Sequence, residues 1–195
     1  MAIVTEDEVR RIARQKVRVF SESTERHLHK ALNSQQQQGS FDVFLSHAYR
    51  DAELIVGVKL LIESYRKSVY IDWIEDQDLD RSEVTPATAR VLRERMRKCK
   101  TLVFVTTDNS PSSKWMPWEL GYFDALRNRV SVFPLENTPG VTRYHGQEYL
   151  GLYPYITQEP SSRSQQSLLW VNRTPSVYVE FTQWIDGENP YKHDQ

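Results

Sequence analysis

Residues Lys100 to Val130 read KTLVFVTTDNSPSSKWMPWELGYFDALRNRV. The first eight, KTLVFVTT, form a nearly continuous apolar and β-branched run. A polar loop broken by proline follows, then a segment with helical spacing. VSVFPLE, from Val130 to Glu136, is strand-like again. A strand without polar alternation is one buried on both faces, as in a parallel sheet covered by helices. Two such strands joined through a helix belong side by side and parallel.

Working outward, the same alternation continues upstream. FDVFLSHA (41–48) is β-rich, AELIVGVKLLIESY (52–65) has helical periodicity, and SVYIDWI (68–74) is strand-like. TPATARVLRERMRKC (85–99) reads as a polar-faced helix with Cys99 inside it. Strands alternating with helices of roughly 10–15 residues specify an α/β fold with a parallel central sheet. Pro134 predicts that the last of these strands ends or bulges there. Beyond Glu136 the pattern weakens. NTPGVTRYHGQEYLGL reads as loop, YPYITQ and SLLWVN as short strands, and SVYVEFTQWIDG as a final helix closed by Gly187.

The first 33 residues read as helix. Thr5 and Glu8 have capping-box spacing, and Val9, Ile12, Ala13, Val17, Phe20, Leu28, Ala31 and Leu32 fall near one stripe. Such a helix either packs on the domain behind it or serves self-association or a partner. The low-complexity NSQQQQGS that follows is a linker. The chain thus divides into an N-terminal helix and linker (1–39), an α/β domain (40–187) and a tail (188–195).

Composition narrows the function. With 195 residues and 39% apolar content the chain can bury a core of ordinary size. A net charge of -1 argues against a protein that neutralises nucleic-acid phosphates or an anionic membrane. No stretch approaches the roughly 18 apolar residues of a membrane span, and the N-terminus lacks the apolar core of a signal peptide. A soluble, cytoplasmic protein is expected. Cys99 is the one cysteine, so neither a disulfide nor a cysteine zinc site is expected. His27, His29, His47, His145 and His193 show no metal-binding spacing. GxGxxG, Walker and GxSxG motifs are missing as well.

In an open α/β sheet, ligands bind beyond the C-terminal ends of the strands. The first domain strand ends there in Ser46 and His47, and the second in Asp72 and Trp73. The third ends in Thr106, Thr107 and Asp108, and its loop leads to Trp115 and Glu119. With Ser113 as cap, Pro117 falls in the first helical turn, where a missing N–H costs little. Trp115 and Glu119 then lie one turn apart on one face. An indole beside a carboxylate suits a flat ring joined to a sugar. Two core tryptophans with an acid favoured by the helix dipole is the other reading, and both stay open. Trp118, rotated away, is expected in the core. A lone carboxylate is too few for an ordinary glycosidase. It suffices where the leaving group departs as a neutral base from a cation, as in cleaving the nicotinamide–ribose bond of NAD+.

FDVFLSHA, SVYIDWIED and SKWMPWELGYFDAL, in that order and spacing, resemble a Toll/interleukin-1 receptor (TIR) domain, above all the stand-alone bacterial members. The resemblance covers roughly Phe41 to Asp186. It implies a flavodoxin-like three-layer sandwich with a five-stranded parallel sheet. Many family members cleave NAD+ to ADP-ribose or its cyclic isomers, with a catalytic glutamate in a WxxxE motif. Here that motif is Trp115 to Glu119, so the resemblance makes Glu119 catalytic and places Trp115, Ser46, His47, Asp72, Trp73 and Arg50 around the substrate. It implies NAD+ as substrate and no metal or cofactor. It also implies self-association through the loop from about Gln77 to Pro86, which controls activity, and a downstream effector that senses the product in anti-phage defence of the Thoeris kind. AYRD (48–51) lacks the paired arginines of the neuronal enzyme. The competing functions are a non-enzymatic TIR adaptor, a nucleoside or nucleotide N-glycosidase, and a phosphoacceptor receiver domain. SHAYRD lacks the acidic pair that the last of these needs.

Overall fold

The computed structural model of the chain describes residues 1–20, 39–71, 85–146, 148–160 and 167–193. Its strands are β1 (Val4–Thr5), β2 (Phe41–Ser46), β3 (Val69–Tyr70), β4 (Cys99–Thr106), β5 (Val130–Glu136), β6 (Tyr155–Pro160), β7 (Ser167–Thr174), β8 (Val177–Glu180) and β9 (Tyr191–Lys192). They form one sheet in the order β3-β2-β4-β5-β6-β7-β8-β9, with β1 beside β5. The five strands from β3 to β6 are mutually parallel. The last three extend the sheet in antiparallel fashion. The helices are α1 (Glu6–Phe20), α2 (Ala52–Ser64), α3 (Pro86–Arg97), α4 (Met116–Arg127) and α5 (Phe181–Ile185).

The unbroken apolar runs have the expected cause, because both sheet faces are covered. Val43 and Leu45 of β2, with Val103 and Val105 of β4, pack among residues of α1, α2 and α5. Their neighbours Phe44, Leu102 and Phe104 point the other way, among residues of α3 and α4. Successive side chains thus enter opposite cores, which is the pleat at work. Each large side chain so buried contributes about 1.5–3 kcal/mol.

At the N-terminus, Thr5 Oγ1 accepts the Glu8 amide at 3.2 Å, which is the hydroxyl half of the expected capping box. Val9 and Ala13 of α1 are buried. The helix lies so close to α2 that a β-carbon on Gly57 would collide with the Val9 carbonyl oxygen. Arg10 and Arg14 both pair with Glu53 at the edge of this contact. The first half of the helix therefore packs on the α/β domain. Strands β5 and β6 pair at a single register, Val132 with Tyr155. Where they part, the N-terminal residues enter: Val4 pairs with Leu135, and Ala2 bridges Gln158.

Several boundaries differ from the sequence expectation. Cys99 opens β4 instead of ending α3, because it already pairs with Phe41 in the ladder. Pro134 neither ends nor bulges β5. Pairing with β4 runs to Thr106 opposite Pro134, and pairing with β1 begins at Leu135, so the proline sits at the handover. Val177–Glu180 is a strand against β7, and the final helix is only Phe181–Ile185. Gly187, with φ +118°, closes it as anticipated. The expected continuation of the N-terminal helix over residues 21–33, most of the linker, and Asp72, Trp73 and residues 77–84 of the loop lie outside the described residues.

Asp42 ties the N-terminal ends of three strands together. Its carboxylate accepts the Ser68 amide at 2.8 Å and the Ser68 hydroxyl at 3.0 Å, just before β3. It pairs with Lys100 of β4 at 2.8 Å. Burial raises the Asp42 pKa, but the Lys100 and Ser68 hydrogen bonds outweigh it and hold the group below its usual value. A carboxylate whose pKa is depressed by folding adds stability above its unfolded pKa and loses it as pH falls through the folded one. Asp42→Asn should therefore lower unfolding free energy by about 1 kcal/mol at neutral pH. The difference from wild type should shrink as pH falls through the ordinary aspartate pKa and vanish below the lower folded value. Urea unfolding across that pH range measures it.

Candidate active site

Strand order places the site. From β2 the chain crosses through α2 to β3 on one side, and β4 lies on the other side of β2. The crevice between the C-terminal ends of β2 and β4 is thus the point where the winding reverses, where open α/β sheets bind ligands. Ser46 is the last residue of β2, and the loop after β4 leads into α4.

That loop is short and closely tied. Ser110–Ser112 forms one turn of 3-10 helix, and Ser113 Oγ accepts the Met116 amide at 3.3 Å. The hydroxyl thus serves the helix start as expected, although α4 itself begins at Met116. Pro117 lies in the first turn, where it breaks no bond. The Glu119 amide donates to the Trp115 carbonyl at 2.9 Å, so the two residues do stand one turn apart.

The Glu119 side chain turns inward and is 1% exposed. Ser46 Oγ donates to Glu119 Oε2 at 2.6 Å, entirely inside the protein. A short hydroxyl–carboxylate bond of this kind is charge-assisted and about twice as strong as a neutral one. Burying a carboxylate in a core is costly unless it is hydrogen-bonded. The Ser46 hydroxyl supplies such a bond across the switch point.

The other expected site residues are distributed as follows. His47 is buried, and its Nδ1–H donates to the Leu45 carbonyl at 2.8 Å. A carbonyl can only accept, so Nδ1 carries a proton. Arg50 is exposed on the turn Tyr49–Asp51. Trp115 is 6% exposed and belongs to the core on the α3–α4 side. Trp118, expected in the core, is instead half-buried: it stacks on Tyr122 and meets Trp115 edge-on, with the Arg93 guanidinium above its ring. The structure therefore brings Ser46 and Glu119 into contact, with His47 adjacent to Ser46 in the chain. Arg50 stands at the surface, and Asp72 and Trp73 are outside the described residues.

The sequence reading gave no role to Asp51. Preceding an apolar helix, it reads as an N-cap, yet it makes no side-chain cap bond. Its carboxylate is buried and accepts Thr107 Oγ1 and Asn109 Nδ2, each at 2.6 Å. An aspartate in a cap position carries no mark of such burial, so only the fold reveals it.

A second concavity of about 700 Å3 opens past β4, between the ends of β4 and β5. Thr106, Thr107, Glu136, Arg143, Tyr144 and Tyr149 are among its walls, whereas Glu119 is not. The sealed pair and this open cleft are separate features. Among the described residues no cluster of histidine, cysteine and carboxylate side chains could hold a metal ion. No helix among them is long and apolar enough to cross a membrane.

No family model matches the chain. It is 45% identical over 158 residues to a probable 3′ cyclic ADP-D-ribose synthase, ThsB′, of Bacillus cereus (strain MSX-D12). The aligned region covers 81% of this chain and 82% of that protein. The chain belongs to the stand-alone bacterial TIR-domain family. A putative cyclic ADP-D-ribose synthase, TIR2, of Cytobacillus dafuensis is 42% identical over 94 residues, which are 46% of this TIR chain and 24% of that protein.

In this TIR domain the Ser46–Glu119 contact should behave as an energetic unit. Ser46→Ala strands part of a buried carboxylate and should cost about 1–3 kcal/mol. Once Glu119→Gln has removed the charge, the same Ser46→Ala change should cost at least ~1 kcal/mol less. Urea unfolding of the two single variants and the double variant measures this coupling, and additive costs would contradict the geometry.

Proposed function

We propose that this TIR chain cleaves the nicotinamide–ribose bond of NAD+ and closes the ADP-ribose portion into a ring. The observation that carries this reading is the Ser46–Glu119 pair, a buried carboxylate held by a hydroxyl at the switch point of the sheet. Similarity over most of the chain to a probable 3′ cyclic ADP-D-ribose synthase supports the cyclic product.

The chemistry follows from the substrate. In NAD+ the nicotinamide nitrogen already carries the positive charge, so the leaving group needs no proton. As the C1′–N bond breaks, both its electrons go to the ring nitrogen, and nicotinamide departs neutral. The positive charge passes to the ribose as an oxocarbenium-like centre. Glu119 faces that charge and stabilises it more in the transition state than in the ground state. Ser46 holds the carboxylate in place, and Trp115 flanks the nicotinamide or ribose. His47 lines the rest of the pocket and Arg50 reaches the phosphates, and the family resemblance adds Asp72 and Trp73 as substrate-binding residues. An internal nucleophile of the ADP-ribose then bonds to C1′ and loses its proton to solvent, which closes the ring. Capture by water would give linear ADP-ribose.

Both Glu119 and Trp115 are covered in this conformation. Substrate entry therefore requires a rearrangement, and we assign it to self-association through the loop around residues 77–86. The released product then serves as a signal to a separate effector in bacterial anti-phage defence.

Purified protein incubated with NAD+ should release nicotinamide in equal amount with a product lighter than ADP-ribose by one water, as read by mass spectrometry. Glu119→Gln should lower kcat by ~10²-fold or more with KM changed less than about threefold. Absence of nicotinamide release at every protein concentration, or undiminished release by Glu119→Gln, would overturn the reading. Turnover per protomer should also rise with protein concentration. A rate per protomer that is flat from dilute to concentrated protein would exclude control by assembly.

A further inference from the structure

We infer that Asp51 is a positioning residue, which clamps the β4–α4 loop against the end of β2 and thereby sets where Glu119 stands. This inference rests on the catalytic reading of Glu119 given above. It concerns a group that does not itself touch the substrate.

The two connections that meet at the switch point are cross-linked at two places. One is the Ser46–Glu119 bond. The other is Asp51, whose Oδ2 accepts the Thr107 hydroxyl and whose Oδ1 accepts the Asn109 amide group, both at 2.6 Å. The clamp has a firm base on each side. On the β2 side the Asp51 amide donates to the Ala48 carbonyl at 3.1 Å, two residues beyond Ser46. On the β4 side the Thr107 amide donates to Ser110 Oγ at 2.8 Å, and that hydroxyl donates to the Val105 carbonyl at 3.1 Å.

Donor and acceptor roles along this chain are fixed. A carboxylate can only accept, so Thr107 must aim its hydroxyl hydrogen at Asp51. The lone pairs of that hydroxyl then face the Asn109 amide, which donates to it at 3.1 Å. Each choice locks the next, and the loop 107–110 has one arrangement that satisfies all of them. From Ser110 the chain runs through the 3-10 turn to Ser113, whose hydroxyl receives the Met116 amide, and then one turn of α4 reaches Glu119.

The path closes on itself: Ser46, Asp51, Thr107, Ser113, Glu119 and back to Ser46. Stability alone needs no buried charge here, since well-packed apolar groups supply it as well or better. A buried carboxylate that orients two donors at 2.6 Å fixes a geometry. Displacement of a catalytic group by about 1 Å can cost 10²-fold in rate, so the closed path has a catalytic consequence.

Asp51→Asn, Thr107→Val and Thr107→Ser test this in the full-length chain. Asparagine at 51 presents an NH2 where one of the two donors now arrives, so one clamp bond is lost. Asp51→Asn should lower kcat for nicotinamide release by ~10–10²-fold while KM moves less than about threefold. Thr107→Val should do the same, Thr107→Ser should retain near wild-type kcat, and the Asp51→Asn/Thr107→Val double variant should lose no more than either single change. Hydrogen exchange followed by mass spectrometry gives a readout independent of turnover. Amides from Thr107 to Glu119 should exchange ~10-fold faster in Asp51→Asn, with exchange in β4 and β5 unchanged. Exchange in that segment unaltered by both Asp51→Asn and Thr107→Val would overturn the clamp. So would wild-type kcat in both variants, or a loss in Thr107→Ser equal to that in Thr107→Val. If the wild-type protein releases no nicotinamide, the catalytic reading of Glu119 fails, while the exchange result still decides whether the clamp exists.

Discussion

The ladder between β2 and β4 is the contact on which the molecule depends. Five residue pairs, from Phe41 opposite Cys99 to Ser46 opposite Phe104, hold these two strands parallel at the centre of the sheet. The chain leaves β2 toward one edge and leaves β4 toward the other, so their connecting loops part above the ladder and leave a crevice. Ser46, His47, Arg50 and Glu119 all hang from one of those two connections. The ladder also works through its apolar alternation, since Val43, Leu45, Val103 and Val105 seal one face while Phe44, Leu102 and Phe104 seal the other. A register slip of one residue would exchange the two cores and carry Ser46 away from Glu119.

The polar groups at the crevice survive in so apolar a setting because they are given definite partners. Ser46 and Glu119 answer one another across the crevice. Asp51 is answered by Thr107 and Asn109, and His47 by the Leu45 carbonyl. These bonds join the ends of elements and leave their interiors apolar, so they fix relative placement where the apolar packing stops. The same rule holds at the opposite end of the sheet, where Asp42 gathers Ser68 and Lys100. Apolar packing determines which elements associate, and the carboxylates determine how their ends are set.

Much of this could be read from the residues. The unbroken run at 100–107 and the helical spacing after it gave the parallel sheet, and the four-residue interval from Trp115 to Glu119 gave their shared side of α4. What could not be read has physical causes. The interval says which residues align, and it does not say that the carboxylate points inward, because that depends on a hydroxyl 73 positions away. The burial of the two tryptophans was legible only in part for the same reason: Trp115 is enclosed, and Trp118 rests on Tyr122 beneath Arg93. Asp51 carries no mark in the sequence of the two donors it accepts. Val177–Glu180 was taken into the final helix because its apolar residues fit either period over so short a run, and pairing with β7 decides for the strand. Pro134 was expected to interrupt β5, and only the presence of β1 explains why the strand runs on.

That wedge of N-terminal residues has a consequence for the order of events during synthesis. Ala2 is held by Gln158, and Val4 by Leu135, so this segment must wait for residues far along the chain before it finds its partners. Until β5 has left the ribosome, strand β1 has no edge to pair with, although α1 can already pack on α2. Contacts so distant along the chain carry a large loop-closure cost and form slowly. The sheet beside β5 is therefore completed by two segments far apart in the chain, the residues around Val4 and strand β6.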